Sequence, residues 1–231
     1  PLNCESAEQI VRQIADVEID DKISFVIKKT EEIMEDSEYQ GVRLSLDAYL
    51  DKTRIPLKID ISTGDVITPC EISFSYQLMF ENRTIPLLAY PPETVLAEKL
   101  ETILSRGEAN TRLRDFYDVY ILQREDFVVT PDALRYALLA TCRKRGHEDL
   151  LHTYASILDG VRQSGAMRTQ WMKYQTDFDY AAGITWDTVL DTVETLCMKT
   201  LETRGAKSID FRAESAENVQ KSLFLYLFYS S

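Results

Sequence analysis

Apolar residues recur at two different periods along the chain, and the change of period divides the chain near residue 90. Before this point a short amphipathic helix over 6–16 is followed by segments in which apolar and polar residues alternate, which is typical of half-buried strands. Beyond Pro91-Pro92 the apolar spacing is helical. The pattern predicts strands near 23–27, 42–46, 54–62, 71–76 and 84–88. It predicts helices over 92–106, 112–123, from 131 onward, and over 148–160, 167–176 and 186–203.

Helix-terminating residues support this division. Pro92 suits the first turn of a helix that Gly107 ends, and Thr130 followed by Pro131 is typical of a cap and first position. The order predicts an α+β protein with a strand-rich part over 1–90, a helical region over 91–203 and a tail of uncertain structure over 204–231. The apolar run over 222–229 fits a strand, a docking tail or an aggregation-prone end.

The strand predicted over 54–62 separates two kinds of side chain by its alternation. Its aliphatic residues share one face, whereas Lys58 and Asp60 lie on the opposite face. Asp60 therefore either faces an active-site cleft or belongs to a solvent-exposed face of a half-buried sheet. The strand pattern alone leaves both interpretations open.

A second group of charged residues lies on the first two predicted helices after residue 91. Asp115 and Asp118 are three residues apart and share a helical face, and Lys99 lies on the preceding helix. A helical hairpin would bring one cation and two carboxylates together. Such a cluster suits phosphate binding and the orientation of a hydroxyl, but salt bridges between packed helices use the same residue types.

The net charge of −12 excludes a protein that covers nucleic acid with its whole surface. Two local basic patches are either binding sites or solvated helix faces. The first contains Arg106, Arg112, Arg114 and Arg124, and the second contains Arg135, Arg143, Lys144 and Arg145 with His147. No apolar run approaches the roughly 20 residues that cross a bilayer, and no signal peptide is evident, so we expect a cytoplasmic protein. The four scattered cysteines fit buried, reduced thiols.

Two segments carry a more specific pattern. The first runs Tyr90-Pro91-Pro92-Glu93-Thr94-Val95-Leu96-Ala97-Glu98-Lys99-Leu100, and the second runs Asn110-Thr111-Arg112-Leu113-Arg114-Asp115-Phe116-Tyr117-Asp118-Val119-Tyr120. Together they resemble the "AEKL … R-(K/R)-D-(F/Y)-Y-D" pattern of the AbiEii family of nucleotidyltransferase toxins. Upstream, Gly41-Val42-Arg43 and Leu57-Lys58-Ile59-Asp60-Ile61 with Gly64-Asp65 are similar to central strands of that family. The resemblance covers roughly residues 1–145.

The resemblance implies a DNA polymerase β-like nucleotidyltransferase fold, incomplete at its N-terminus, in a type IV toxin–antitoxin or abortive infection system. The implied reaction transfers a nucleotide from an NTP to an RNA acceptor, notably tRNA, with Mg²⁺. Lys99 corresponds to the family's essential lysine and implied triphosphate contact, Asp115 to its essential aspartate, and Asp60 to a third carboxylate and candidate metal ligand. Lys58, Arg112 and Arg114 are the expected substrate contacts. The implied antitoxin acts without a stable complex.

One departure from the family pattern bears on activity. The family carries a Gly-Gly/Ser helix start followed by an Asp-x-Asp strand, and nothing in residues 1–50 replaces this metal-binding element. We therefore expect impaired activity from this polypeptide as it stands. Two alternatives stay open: a non-catalytic remnant that binds nucleotide, RNA or a protein partner, and a structural α+β domain whose acidic surface maintains solubility.

Overall fold

A computed structural model of the protein describes residues 3–19, 21–33, 41–124, 129–202 and 224–227. In chain order these residues form α1 (Cys4–Ala15), β1 (Ile23–Ile33), β2 (Gly41–Leu50), β3 (Thr53–Ser62), β4 (Ile72–Gln77), β5 (Thr84–Ala89), α2 (Pro92–Arg106), α3 (Leu113–Leu122), α4 (Pro131–Lys144), α5 (Leu150–Gln163), α6 (Gly165–Asp177), α7 (Trp186–Leu201) and β6 (Phe224–Leu227). Short 3-10 turns follow α2 and α6.

The chain divides into two compact units after Asp65. The first contains α1, β1, β2, β3 and β6, and the second contains β4, β5 and the helices from α2 onward. Along the chain, β5 ends at Ala89 and α2 begins at Pro92, whereas the predicted division near residue 90 does not coincide with the boundary between the two units. The hairpin of β4 and β5 belongs to the same compact unit as the helices.

The first unit is an antiparallel sheet of order β1-β2-β3-β6 with α1 against one face. An Asn3–Ser6 capping box begins α1, because each side chain accepts the backbone N–H of the other residue. The core between helix and sheet is small: Ala7, Val11, Val42, Leu44, Leu46 and Ile61. As predicted, the aliphatic face of β3 packs on this core.

The turn between β2 and β3 sets the pairing of the whole hairpin. Leu50 pairs with Thr53, so the turn has two residues, Asp51 and Lys52, and Asp51 adopts the positive φ of 51° that such tight turns require. Each later pair follows from this start. Arg43, eight residues before Asp51, therefore lies opposite Asp60, eight residues after Lys52.

The second unit is built around a large helical core that includes the apolar faces of α2, α3, α4, α5, α6 and α7. Gly107 ends α2 with a φ of 49°, and the Thr130 side chain accepts the backbone N–H of Ala133 at the start of α4. The predicted elements are thus confirmed with boundary shifts of a few residues. None of the described helices combines the length and apolar character needed to cross a membrane.

The predictions for the C-terminal apolar run and for the cysteines had mixed outcomes. Phe224–Leu227 form β6, which pairs antiparallel with β3, so the apolar run near the C-terminus contains a strand; the rest of the predicted tail lies outside the described residues. The prediction of buried thiols was wrong for two of four cysteines. Cys142 and Cys197 are buried in the helical core, whereas Cys4 is half-buried and Cys70 is exposed.

Candidate active site

A tight connection places α2 and α3 side by side. After Gly107 a 3-10 turn leads to Asn110, whose buried side chain accepts the backbone N–H of Arg112 at 2.8 Å and so fixes the start of α3. The aliphatic faces of both helices enter the core, which aligns their polar faces. Lys99 on α2 therefore faces the first turns of α3.

Lys99 holds two carboxylates at once. Its Nζ donates to Asp118 Oδ2 at 2.6 Å and to Asp115 Oδ1 at 3.2 Å. The Asp115 side chain is only 5% exposed, whereas the side chains of Lys99 and Asp118 are 21% and 22% exposed. The structure thus brings together the cation and carboxylates that the sequence placed on adjacent helices. Because an ammonium has three donors, one N–H of Lys99 is left over from these two bonds.

Two arginines from the start of α3 extend the cluster. Arg112 Nε lies 3.1 Å from Asp115 Oδ2, an ion pair whose angle does not allow a hydrogen bond. Arg114 Nε lies 3.8 Å from Asp118 Oδ2, beyond hydrogen-bonding distance. Both arginine side chains are more than half exposed. The cluster therefore contains three cations and two carboxylates, and most of its exposed surface is positive.

Asp60 and Lys58 belong to the sheet of the first unit. Asp60 lies on the face opposite the core, as predicted, and both of its oxygens accept hydrogen bonds from Arg43, at 2.7 Å and 2.6 Å. These bonds to Asp60 raise the pKa of Arg43 above its usual value. Lys58 is exposed on β3 opposite Ser45. The sequence analysis did not predict that Arg43 is the partner of Asp60. The two-residue turn Asp51-Lys52 sets a strand register in which these two residues lie opposite each other.

The sequence matches the family described as "Nucleotidyl transferase AbiEii toxin, Type IV TA system" over residues 5–192. This chain belongs to that family. No individual curated protein matches the sequence. The AbiEii match runs from α1 into α7, so it extends well beyond residue 145, where the sequence resemblance was expected to end. The later helices α5 and α6 are thus part of the family region.

AbiEii membership implies Mg²⁺, but the donor groups of the described residues do not fit a metal site. Among them no group of three or more His, Cys, Asp or Glu side chains is arranged to hold a metal ion. Asp60, the predicted metal ligand, uses both oxygens on Arg43, and Lys99 engages Asp115 and Asp118. The segment Asp177-Phe178-Asp179 has Asp-x-Asp spacing, but it spans the end of α6 and a 3-10 turn instead of a strand.

The second basic patch proved largely structural. Arg145 and His147 both bind Glu101, a carboxylate of α2 that is 2% exposed. The His147 Nδ1 to Glu101 Oε1 distance is 2.7 Å. The contacts of Arg145 and His147 with Glu101 tie the end of α4 and the following turn to α2, so two residues of the patch have a structural role without a ligand. Sequence reasoning missed Glu101 because its partner residues are more than 40 positions away.

Sequence reasoning also missed an open groove beside the Lys99 cluster. The groove has a volume of about 470 Å³ and is lined by the start of α3 and one side of α6: Thr111, Arg112, Leu113, Arg114, Gln170, Lys173, Tyr174, Asp177 and Phe178. The α6 residues recur at helical spacing, which was a detectable signal for a shared face. Nothing in the sequence indicated that this face lies against α3.

Proposed function

We propose that this AbiEii family member transfers a nucleotide from an NTP to an RNA acceptor, with tRNA as the expected acceptor. The observation that carries the proposal is the position of Lys99, shared between Asp115 and Asp118 beside two exposed arginines, in a chain of this family. The proposed fold is DNA polymerase β-like. We expect the reaction in the cytoplasm, where NTPs and RNA occur together.

The contacts suggest different roles for the three central residues. Lys99 retains one N–H and part of its surface, so it is the proposed triphosphate contact. Asp115 is too buried to reach a substrate; it is a positioning residue that orients Lys99 and Arg112. Asp118 is more accessible and shares Lys99, while Arg112 and Arg114 supply exposed positive charge for phosphates.

Two further residues of the predicted site lie on the sheet of the first unit. Lys58 is the proposed substrate contact there, and Asp60 is the proposed third carboxylate of the family fold. Because Arg43 occupies both Asp60 oxygens, we infer that these residues alone do not assemble a metal site. We therefore propose that this polypeptide transfers nucleotides poorly unless the family's Asp-x-Asp segment is supplied.

Nucleotide transfer is tested directly with radiolabelled NTPs, bulk tRNA and Mg²⁺. The assay compares this polypeptide with an extended version that carries the family's Gly-Gly/Ser helix start and Asp-x-Asp strand. In the active version, Lys99→Ala should reduce labelling roughly a hundredfold or more, because a preorganised donor to the reacting phosphates is lost. Lys199→Ala removes an exposed charge elsewhere and should leave labelling unchanged. Labelling that survives Lys99→Ala would remove the catalytic assignment.

Asp115 requires a variant that keeps its shape. Asp115→Asn preserves side-chain volume but weakens its hold on Lys99, so labelling should fall while the circular dichroism spectrum is retained. Asp159→Asn on α5 is the matched control. Within the part of the chain that the structure describes, Asp159 accepts a side-chain hydrogen bond only from Gln163. If Asp115→Asn labels as well as the parent protein, Asp115 does not position Lys99.

A second candidate is a non-catalytic protein that binds nucleotide, RNA or a protein partner. The occupation of both Asp60 oxygens by Arg43 favours it, because a saturated pair does not need a metal. This candidate predicts NTP or RNA binding by calorimetry but no labelling, even in the extended version. Labelling there would exclude it.

The family description also implies an antitoxin. We propose that the antitoxin acts without forming a stable complex with this chain. Co-expression of a neighbouring antitoxin gene should then relieve growth inhibition by the extended version, while affinity purification should not recover the two proteins together. Co-purification in a fixed ratio would contradict this part of the proposal.

A further inference from the structure

The groove between α3 and α6 is locally positive in a protein of net charge −12. Arg112, Arg114 and Lys173 line it, against one lining carboxylate, Asp177, and the two arginines also face Asp115 and Asp118 beside the groove. Lys173 is exposed and forms no ion pair with any residue that the structure describes. Three cations along one groove are complementary to a run of phosphates.

Aromatic rings stand beside these cations. Phe178 and Tyr180 are 41% and 49% exposed, and their ring centroids lie 5.4 Å apart. Phe178 lies 4.7 Å from the ring of Tyr174, which lines the groove. Burial raises the pKa of Tyr174, whose hydroxyl is hydrogen-bonded to that of Tyr180 at 2.9 Å. The outer rings are therefore held in place by partly buried neighbours while their own surfaces remain accessible.

The aromatic group is anchored to the core and to the Lys99 cluster. Tyr174 stacks on Trp171, which is 1% exposed, and Tyr180 lies 4.8 Å from Tyr117 on α3. Arg112 and Arg114 belong both to the groove and to the cluster, where they face Asp115 and Asp118. A strand in the groove would thus lead directly to the proposed reaction centre.

We propose that this groove binds the single-stranded end of the RNA acceptor. Its phosphates lie along Arg112, Arg114 and Lys173, and an unpaired base stacks on Phe178 and Tyr180. Single-stranded nucleic acids are bound in this way, by cations that follow the backbone and by aromatic rings that accept any base. The inference rests on the proposed function, because it assigns the acceptor site of the same reaction.

The open shape of the groove favours a strand over a free nucleotide. Cations at the start of α3 and along α6, with exposed rings at one end, suit a chain that passes through. An NTP bound there would place its triphosphate on the same arginines, which gives a competing outcome that can be measured. Strand binding requires no metal, so it is tested independently of transfer.

The test measures the affinity of a short fluorescent single-stranded RNA by anisotropy, without NTP or Mg²⁺. Phe178→Ala should weaken binding roughly tenfold, as expected for the loss of one stacked base. Tyr136→Ala, at an exposed aromatic on α4, is the matched control and should bind as the parent does.

Salt dependence tests the cationic side of the groove. Lys173→Gln should reduce the slope of log affinity against log salt by about 0.7, the value expected for one phosphate contact to a single strand. Lys199→Gln should not change the slope. Unchanged affinity and slope in Phe178→Ala and Lys173→Gln, with folding confirmed by circular dichroism, would overturn the inference. A loss of NTP affinity in Phe178→Ala and Lys173→Gln as large as their loss of RNA affinity would overturn it too, since the groove would then be the NTP site.

The two proposals fail in distinguishable ways. If the extended protein labels tRNA but groove variants bind RNA normally, the acceptor site is elsewhere and the transferase assignment stands. If RNA binding depends on Phe178 and Lys173 but no labelling occurs, the groove assignment stands and transfer is wrong.

Discussion

Asp60 and Asp115 are both carboxylates held by cations, but their surroundings differ. Asp60 lies on a sheet face, is 24% exposed, and forms a neutral, two-point pair with Arg43. Asp115 is 5% exposed, and it shares Lys99 with Asp118 while Arg112 approaches its second oxygen. One carboxylate is matched by a single partner, whereas the other belongs to a network.

The Arg43–Asp60 pair satisfies the hydrogen bonds of both Asp60 oxygens, whereas the Lys99 cluster has exposed cations that can bind a ligand. In the sheet pair, charge and hydrogen bonds are matched, so an incoming anion would have to displace Asp60 from Arg43. In the hairpin cluster three cations surround two carboxylates, and the arginines are largely exposed. An added phosphate there gains positive partners without breaking the buried contact to Asp115. The helical hairpin is therefore the stronger candidate for phosphate binding.

The largest expected effect is on the alkylation rates of cysteines, which depend on how deeply each thiol is buried. Burial raises the pKa of Cys142 and of Cys197 in the helical core to about 12, while Cys4 is only half-buried on the small core of the first unit. Alkylation requires the thiolate, so at pH 8 both buried thiols should react roughly a thousandfold more slowly than exposed Cys70. Peptide mass spectrometry after timed alkylation measures each rate.

The same pKa shift predicts a pH dependence. In the unfolded chain these thiols ionise near pH 9, so their stabilising effect on the native state is complete below that pH and is lost as pH rises toward about 12. In denaturant all four cysteines should be alkylated at similar rates. Native labelling of Cys142 as fast as Cys70 would mean that the helical core opens readily, and the contrast between buried and exposed thiols would disappear.

The sequence predicted much of the framework because local signals act over short distances. Pro92, Gly107 and the Thr130-Pro131 pair set helix ends, and strand alternation placed Asp60 on the correct face. The hairpin of α2 and α3 was predicted because its charged residues lie fewer than 20 positions apart.

Long-range packing could not be predicted in the same way. Contacts of Glu101 with Arg145 and His147, and the approach of α6 to α3, depend on how the helical core packs. Helical periodicity shows which side of a helix is apolar but not which helix covers it. From the sequence alone, the groove residue Lys173 therefore could not be distinguished from any other solvated lysine, because its position near the start of α3 depends on helix packing.

The next largest effect is on stability and compares the two carboxylates directly. Lys99→Met keeps most of the side-chain stem but leaves buried Asp115 without its ammonium, which should lower the free energy of unfolding by roughly 3 kcal/mol. Arg43→Met leaves Asp60 partly solvated and should cost less than about 1 kcal/mol. Urea unfolding of both variants measures the difference. Equal losses would show that burial does not distinguish the two sites.

The smallest effect is the coupling within the sheet pair. A double-mutant cycle with Arg43→Met and Asp60→Asn should give an interaction energy of about 0.2–1 kcal/mol, because both side chains are partly exposed and water screens them. High salt should reduce it further. The two-point geometry sets the upper part of this range, since parallel hydrogen bonds hold the guanidinium in place. A coupling above about 2 kcal/mol would mean that Asp60 is held as firmly as Asp115, and the sheet pair would then be a fixed structural element unable to release Asp60 for any ligand.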